Sequence, residues 1–269
     1  MNNFDFIIIG GGSAGCVLAD KLSACGNYQV CLLEAGPKDK HWSIHMPLGV
    51  IELMKDKILN WQFNSVPEAT QNNRRIFNPR GRTLGGSSSV NAMLYIRGQK
   101  EDYDHWRDLG NDGRSFEDVL PYFKSTQHQE RGEDDFHGIN GPLNVADSSS
   151  KPPVHDSFIS SAQQVYPLNN DFNSESQEGV GYYQVTQING QRCSAAKAFL
   201  TPNLHRSNLT VITDAHVQKI LINDKIATGV CYKVKGKKHN IFAKKEVLLS
   251  VWGFQFSSTF NAIRHRSGG

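Results

Sequence analysis

The chain opens with a strand, a glycine-rich turn and a helix, and this order constrains its fold more than any other feature. The apolar run FDFIII at residues 4–9 is short and rich in β-branched side chains, which is typical of a buried strand. GGGSAG follows at residues 10–15, and residues 16–24 carry apolar side chains at helical spacing. The pattern predicts an α/β fold that contains a parallel sheet.

Three glycines of the turn, Gly10, Gly12 and Gly15, fill the G-x-G-x-x-G pattern. The first allows a tight turn, the second lets a pyrophosphate approach the backbone, and the third lets the helix pack on the strand. A second apolar run, QVCLL, ends at Glu34, where an acid accepts hydrogen bonds from a ribose diol and repels a 2′-phosphate. The sequence therefore predicts a dinucleotide site that does not favour NADP.

The same turn also contains the G-x-S-x-G pattern of the hydrolase nucleophile elbow, from Gly11 through Ser13 to Gly15. An elbow needs earlier strands to supply its oxyanion hole, and only nine residues precede Gly10. We therefore interpret Ser13 as a small residue near the pyrophosphate. A serine hydrolase and a stand-alone FAD- or NAD-binding module are kept as alternatives.

A second glycine- and serine-rich stretch, GRTLGGSSSVNAMLYIRGQKEDYD, occupies residues 81–104. Glycines let a backbone lie close to a ligand, and free N–H groups and serine hydroxyls bind anionic oxygens. This stretch resembles the first signature of the glucose–methanol–choline (GMC) oxidoreductases. Residues 32–37, Trp61 and residues 137–143 fit the same family, and the resemblance extends from the N-terminus to about Ser250.

The resemblance implies an FAD-dependent alcohol oxidase or dehydrogenase, closest to the bacterial choline and aliphatic alcohol dehydrogenases. In this family hydride passes from the alcohol carbon to the flavin while a histidine removes the hydroxyl proton. Some members link FAD covalently to a histidine at the position of Val90, so valine here predicts non-covalent FAD. The FAD-binding residues implied are Gly10, Gly12, Ser13, Ala14, Gly15, Glu34, Ala35, Thr83, Gly86, Ser87, Asn91, Ala92, Met93, Leu94 and Val217.

The family places its catalytic histidine in the C-terminal half of a longer chain, so no catalytic residue is expected within this sequence. After EVLLS the family continues with a second signature, and a one-base shift in the codons for the following residues can encode a version of it, SPQLLMLSGIG. We therefore expect residues 251–269 to be an out-of-frame tail and the chain to be a truncated, inactive product. The gene's nucleotide sequence tests this hypothesis directly.

The fold implied is an FAD-binding, Rossmann-like parallel sheet with a β-meander, plus part of an α+β substrate domain. We expect residues 1–36, 80–125 and 201–250 to form a discontinuous flavin domain, with lid or substrate-side segments at residues 37–79 and 126–200. Alternating apolar residues predict the meander between residues 209 and 250, and Val247–Ser250 is expected to rejoin the parallel sheet. Ser115 is a predicted helix N-cap with Asp118 at N3, and Trp106 is a predicted core residue.

Bulk properties agree with a globular enzyme domain, and the resemblance implies a small-molecule alcohol as its substrate. Net charge is +3, and the lysines at residues 233–238 fit a solvated turn better than a nucleic-acid site. No apolar stretch is long enough to span a membrane. Five cysteines without a C-x-x-C spacing predict reduced thiols and a cytoplasmic location, with peripheral inner-membrane association and the oligomeric state left open. No metal site is expected, because neither His41 with His45 nor the acidic run at residues 133–135 has a supporting ligand set.

Overall fold

The computed structural model describes residues 3–251. Its strands are β1 (Asn3–Ile9), β2 (Val30–Leu33), β3 (Phe63–Asn64), β4 (Phe77–Asn78), β5 (Leu94–Tyr95), β6 (Gln127–Gln129), β7 (Leu143–Asp147), β8 (Gln184–Val185), β9 (Gln187–Ile188), β10 (Gln191–Arg192), β11 (Leu209–Ile212), β12 (His216–Asn223), β13 (Ile226–Val234) and β14 (Lys237–Leu249). Its α-helices are α1 (Ser13–Ser23), α2 (Trp42–His45), α3 (Val50–Leu53), α4 (Lys100–Asp108), α5 (Phe116–Thr126) and α6 (Pro153–Ala162). Short 3₁₀ or π turns occupy Pro47–Gly49, Ala69–Gln71, Gly86–Ser89, Ala196–Leu200 and Thr201–Asn203.

The chain divides into two compact units. Among the described residues, one unit contains residues 3–91 together with residues 194–251, and the other contains Ala92–Cys193. The functional division into flavin-domain and lid segments stays a prediction. In residues 3–251, no helix has the length and apolar character needed to cross a bilayer.

The first unit is built on a six-stranded sheet with the order β11-β2-β1-β14-β13-β12. β1 lies parallel to both neighbours, with Phe6–Ile9 beside Val30–Leu33 on one side and beside Glu246–Leu249 on the other. β11 continues the parallel part, whereas β12, β13 and the first half of β14 form an antiparallel meander. The predicted parallel sheet, the meander and the return of Val247–Leu249 to the sheet are confirmed.

Strands β1 and β2 are buried because helices or meander strands cover both of their faces. Ile7 and Leu33 pack with Val230 and Ile241 of the meander. Ile8 points to the opposite face of β1 from Ile7 and is also fully buried. The sequence of β1 therefore does not alternate between apolar and polar residues, as a strand with one solvent-exposed face would. Each such side chain contributes about 1.5–3 kcal/mol of hydrophobic stabilisation. The buried strands therefore give a rigid base for the turns at their ends.

The second unit contains a four-stranded sheet with the order β5-β8-β7-β6. Ser115 caps α5 as predicted, since its hydroxyl accepts from the Asp118 N–H at 3.2 Å and its own N–H donates to the Asp118 carboxylate at 3.0 Å. The prediction that Trp106 is a core residue is wrong, because its side chain is 52% exposed. Tyr103, one turn earlier on α4, takes the inward position and packs against Phe123 at 5.8 Å between ring centroids.

Candidate functional site

A cavity of about 870 Å³ lies in the first unit at the carboxyl ends of β1, β2 and β14. Ile9, Leu33 and Leu249, the last residues of these strands, line its floor. The ends of parallel strands are where open α/β sheets bind ligands, because the loops there are not covered by the next helix. The volume is within the range of cofactor and small-molecule pockets.

The turn between β1 and α1 presents free backbone donors to this cavity. Gly10 has a φ of +100°, which favours glycine, and a Cβ there would lie 2.7 Å from the Ser250 carbonyl oxygen. The first backbone bond at the start of α1 runs from Cys16 N–H to Gly12 O at 3.0 Å. The N–H groups of Ser13 and Ala14 have no partner among residues 3–251. A helix start of this kind binds anionic oxygens through its free donors and its partial positive charge.

A second backbone segment meets this turn without any side chain between them. Gly85 N–H donates to Gly11 O at 2.7 Å, and a Cβ on Gly86 would lie 2.7 Å from the Cα of Gly12. Gly86 also has a φ of +55°. Real Cβ atoms do not approach so closely, so the contact requires glycine. Because Gly12 and Gly86 are in direct contact, the start of α1 and Ser87 lie on the same wall of the cavity.

Glu34 is buried at the end of β2 and is held by two backbone donors. Gly11 N–H donates to Oε2 and Gly36 N–H donates to Oε1, both at 2.8 Å. Burial raises the pKa of the Glu34 carboxyl to about 7, although these hydrogen bonds and the charge of Arg82 act in the opposite direction. A carboxylate fixed in this way can accept hydrogen bonds from ribose hydroxyls at its remaining lone pairs.

One buried polar atom at the cavity has no partner in the described residues. Ser250 follows β14 and lines the cavity, its N–H donates to Ile9 O at 2.9 Å, and its Oγ has no hydrogen-bond partner. Unsatisfied buried hydroxyls are costly and are usually paired in the functional state of a protein. The Ser250 hydroxyl is therefore a candidate ligand contact that the sequence alone did not reveal.

A cluster of Trp61, Arg82 and His216 forms another part of the site that sequence reasoning missed. The Arg82 guanidinium lies 5.0 Å from the centre of the Trp61 ring, and the His216 ring lies 5.8 Å from it. Desolvation and the Arg82 charge lower the pKa of His216. Trp61 and His216 both line the cavity. No local pattern signals this cluster, because the three residues come from distant parts of the sequence.

The structure brings most of the predicted cofactor residues together. The predicted residues on the cavity wall are Gly10, Gly12, Ser13, Ala14, Glu34, Ala35, Gly86, Ser87, Asn91 and Val217. Gly15 lies beneath the turn, where a Cβ would lie 1.9 Å from Gly10 O, and the buried Thr83 hydroxyl donates to Pro37 O at 3.0 Å. Ala92, Met93 and Leu94 belong to the second unit and do not line this cavity. Contact of each residue with the cofactor stays a prediction.

A separate group in the second unit has the spacing of a metal site. Ligand atoms of Asp134, His137 and Asp171 lie within 4.8 Å of one another. His137 is buried, and its Nε2 is bonded to Asp171 Oδ2 at 2.7 Å while its Nδ1 lies 3.0 Å from Gln127 Nε2. Both ring nitrogens are used within the protein. The group is therefore better described as a hydrogen-bond network around the buried His137 side chain.

The sequence of residues 4–260 matches the profile of the GMC oxidoreductases. The chain belongs to the GMC oxidoreductase family. The N-terminal domain of this family is its FAD-binding domain, so the cofactor of this chain is FAD.

Named GMC relatives extend well beyond the region matched here. An alcohol dehydrogenase (acceptor) of Pseudomonas putida is 46% identical over 252 residues, which are 92% of this chain and 46% of the relative. An oxygen-dependent choline dehydrogenase of Photobacterium profundum is 43% identical, over 92% of this chain and 44% of the relative. The chain thus spans less than half the length of these relatives.

Two solved structures share the fold over a similar range. Pyridoxine 4-oxidase from Mesorbium loti superposes with a TM-score of 0.87 at 29% identity, covering 91% of this chain and 48% of the oxidase. An FAD-dependent oxidoreductase from Chaetomium thermophilum gives a TM-score of 0.85 at 30% identity, covering 92% of this chain and 45% of its own length. These likenesses support the α/β fold described above over less than half of each solved chain.

The residues present fit FAD as the ligand of this GMC site. Free N–H groups at the start of α1 suit a pyrophosphate, and the side-chain-free contact of Gly12 with Gly86 leaves room for it. Glu34 is placed to accept from a ribose, and the Ser250 hydroxyl lacks a partner. Val90 is buried with Ile44, Leu53 and Leu59, so its aliphatic side chain packs in the protein core.

Proposed function

We propose that this chain is the FAD-binding part of an oxidoreductase that acts on the CH–OH group of an alcohol, either choline or an aliphatic alcohol. The observation that carries the proposal is the glycine cradle, in which the β1–α1 turn and residues 85–87 meet without side chains at the cavity wall. The substrate class is supported by relatives named alcohol dehydrogenase and choline dehydrogenase.

Each part of the cavity has a binding role in this proposal. Backbone N–H groups of Ser13, Ala14 and Ser87 hold the pyrophosphate, and Glu34 orients a ribose. The backbone of Val217 on β12 contacts the adenine. FAD, when bound, supplies the hydride acceptor for alcohol oxidation.

The cofactor is proposed to be held without a covalent bond. The side chain of Val90 is aliphatic and lies with Ile44, Leu53 and Leu59 in a core cluster, so it offers no nucleophile to the flavin. Acid precipitation of the reconstituted chain should therefore release all of its flavin into the supernatant. Flavin fluorescence that stays with the denatured polypeptide on a gel would contradict this assignment.

We further propose that the chain alone does not oxidise alcohols. Oxidation of an alcohol needs a general base beside the hydroxyl oxygen. Among residues 3–251, His216 is the one histidine that lines the cavity, and it adjoins Val217 at the proposed adenine end. The predicted out-of-frame tail falls almost entirely on residues 252–269, which lie outside the described residues, and the frameshift stays a hypothesis for DNA sequencing.

Reconstitution of the purified chain tests this function. We expect one FAD per chain by calorimetry and no reduction of a dye acceptor with choline or a series of aliphatic alcohols. Tight binding of NAD in place of FAD would instead favour a stand-alone module. Steady turnover of an alcohol would show that the chain contains its own catalytic base, and labelling of Ser13 by a fluorophosphonate would favour a hydrolase.

We propose a cytoplasmic location, with peripheral attachment to the inner membrane. All five cysteines are free thiols, which suits a reducing compartment. Leu48, Ile51 and Ile58 are 76%, 65% and 66% exposed, and they follow closely on one another in the segment around α3. Exposed apolar side chains of this kind can contact a lipid surface. Cell fractionation with a carbonate wash tests the assignment, since a peripheral protein is released by the wash.

A further inference from the structure

The small net charge of the chain conceals an uneven distribution of charged residues. Seven of its 29 lysines and arginines lie in residues 225–245, and all seven are lysines. None of the 26 acidic residues lies in that segment, so the rest of the chain is acidic overall. The segment forms β13 and the first part of β14 in the meander. A charge asymmetry of this kind indicates a polyanionic partner.

The sheet register gathers three lysines on the outward face of the meander. Val230 packs in the hydrophobic core, so the odd-numbered residues of β13 around it point outward. Lys233 of β13 lies directly opposite Lys238 of β14, and Lys219 of β12 lies opposite the outward Cys231. We call these three lysines the lysine face. The sequence alone did not show this grouping, because it depends on which strands pair.

The lysine face has no acidic partner in residues 3–251. No carboxylate oxygen of these residues lies within 4.0 Å of its side-chain nitrogens. Like charges directly opposite each other in a sheet are destabilising, so the pair of Lys233 and Lys238 costs free energy in the isolated chain. Lys21, Lys100 and Lys151 differ, because each has a carboxylate oxygen within 4.0 Å. An external source of negative charge would therefore stabilise the lysine face.

The chemistry of this surface favours an anionic lipid headgroup over a nucleic acid. Nucleic-acid phosphates and base edges are bound largely through the planar fork of arginine, and residues 225–245 contain no arginine. Phe242 shares the outward face of β14 with Lys238, by alternation from the buried Ile241, and is 43% exposed. Lysines beside an exposed aromatic ring suit a bilayer surface, where the ammonium groups meet lipid phosphates and the ring enters the acyl boundary.

We propose that the lysine face docks the chain on a bilayer surface that is rich in anionic lipid. The inference rests on the peripheral membrane attachment proposed above and deepens it, since it assigns an electrostatic contact to the meander. Attraction of lysines to such a surface falls off within a Debye length, so binding should weaken steeply as salt is raised. Neither FAD nor an alcohol takes part in this contact.

The test is sedimentation of the purified full chain with vesicles of phosphatidylcholine alone, or of phosphatidylcholine and phosphatidylglycerol in equal parts. We expect binding to the mixed vesicles at low salt and little binding to the neutral ones. Loss of one lysine near an anionic surface weakens binding about fivefold, so the face variant should bind about a hundredfold less tightly. That variant carries Lys219→Gln, Lys233→Gln and Lys238→Gln.

The matched control loses the same net charge from lysines that have a carboxylate partner, and it should bind within about threefold of the original chain. It carries Lys21→Gln, Lys100→Gln and Lys151→Gln. The face variant should also unfold at the same urea concentration as the original chain or a higher one, because it lacks the repulsion of opposed lysines. A loss of vesicle binding with no loss of stability separates docking from folding.

Several outcomes would overturn the lysine face as the docking surface. Equal binding of the face variant and the original chain to mixed vesicles would do so, as would equal binding of the original chain to neutral and mixed vesicles, which needs no variant. Binding lost only with Leu48→Ser and Ile51→Ser would assign the contact to the segment around α3. Tighter binding to a DNA duplex than to mixed vesicles would favour a nucleic acid.

Cell fractionation separates the failure of this inference from the failure of the proposed location. We expect the original chain in the membrane fraction and the face variant in the soluble fraction. Retention of both on the membrane would contradict the lysine face alone. Absence of the original chain from the membrane fraction would contradict the peripheral location, and with it the docking that rests on it.

Discussion

At the scale of single residues, burial and ribose binding favour opposite protonation states of the Glu34 carboxyl. It is buried at the end of β2, where its carboxylate accepts from Gly11 and Gly36, and its pKa is raised to about 7 by that burial. The protonated carboxyl is the form favoured by the low dielectric, whereas the ionised form is the better acceptor for a ribose. Near neutral pH the residue therefore lies close to the balance between the two forms.

Glu34 should make the stability of the first unit depend on pH. Its pKa is higher in the folded state, so its stabilising contribution is full below about pH 4.5 and is lost as pH rises through about 7. In Glu34→Gln this fall should be absent from urea unfolding measured between pH 4.5 and 8. Glu133→Gln, in an exposed loop, is the control and should keep the fall. An unchanged fall in Glu34→Gln would show that other groups cause it.

Gly86 should be a position of the cradle that tolerates substitution poorly. A Cβ there would lie 2.7 Å from Gly12 Cα at a φ of +55°, so Gly86→Ala should destabilise the chain by about 1–3 kcal/mol and weaken FAD binding at least about tenfold. Gly26→Ala is the matched control, since Gly26 also has a positive φ but nothing within 4 Å. It should lose about 1 kcal/mol with unchanged FAD affinity, measured by flavin fluorescence titration.

The glycines and Glu34 were predictable because the whole pattern is local to one strand–turn–helix unit. Trp61, Arg82 and His216 were not grouped in advance, because their contacts join residues that are far apart in sequence. The Ser250 hydroxyl was missed for a similar reason, since only the folded sheet brings it beside the β1–α1 turn. The prediction for Trp106 failed for another reason. A large apolar side chain on a helix was expected in the core, but the sequence does not show which face of the helix is buried, and Trp106 lies on the exposed face.

At the scale of elements, a closed ring of hydrogen bonds connects segments of the second unit that are distant in sequence. Arg97 Nη2 donates to Gln127, the side chains of Gln127 and His137 are bonded to each other, and His137 is bonded to Asp171. Asn173 N–H donates to Asp171, and Arg97 N–H donates to the Asn173 side chain. The ring links the region after β5 with β6 and the loop before β8. Such networks are stabilising when every member is satisfied and costly when one is lost.

Asp171→Asn should weaken this ring. Burial opposes ionisation of Asp171, but hydrogen bonds from His137 and Asn173 outweigh it and lower the pKa of Asp171. The carboxylate therefore stabilises the fold above its unfolded pKa and loses that contribution as pH falls through the lower folded pKa. We expect the variant to be about 1–3 kcal/mol less stable at pH 7, with a smaller acid-side loss. Exposed Asp112→Asn is the control, and equal unfolding curves for all three proteins would contradict the role of the ring.

Element boundaries in the sheet were largely predictable, whereas its pairing was not. Alternation of apolar residues indicated β12 and β13, and the apolar run at Val247–Leu249 indicated a return to the parallel layer. Alternation shows which face of a strand is buried and says nothing about which edge is hydrogen-bonded. The division of β14 between two partners became visible only from the register of the folded sheet.

At the scale of the whole molecule, FAD should stabilise the chain by mass action. A ligand that binds only the folded state adds about 2.7 kcal/mol at a concentration one hundred times its Kd. We expect saturating FAD to raise the melting temperature of the purified chain by several degrees, while NAD at the same concentration leaves it unchanged. Hydrogen exchange should place the added protection at the β1–α1 turn and residues 85–87. A larger stabilisation by NAD would contradict the identity of the cofactor.

The central position of β1 also determines when the first unit can fold during protein synthesis. β1 leaves the ribosome before the other described strands, yet one of its two neighbours is residues 242–249 of β14. At roughly 5–20 residues per second, translation keeps that edge of β1 unpaired for on the order of ten to fifty seconds. An exposed apolar edge held open for that long is a binding site for chaperones in the growing chain. Production of this protein should therefore depend strongly on chaperone supply.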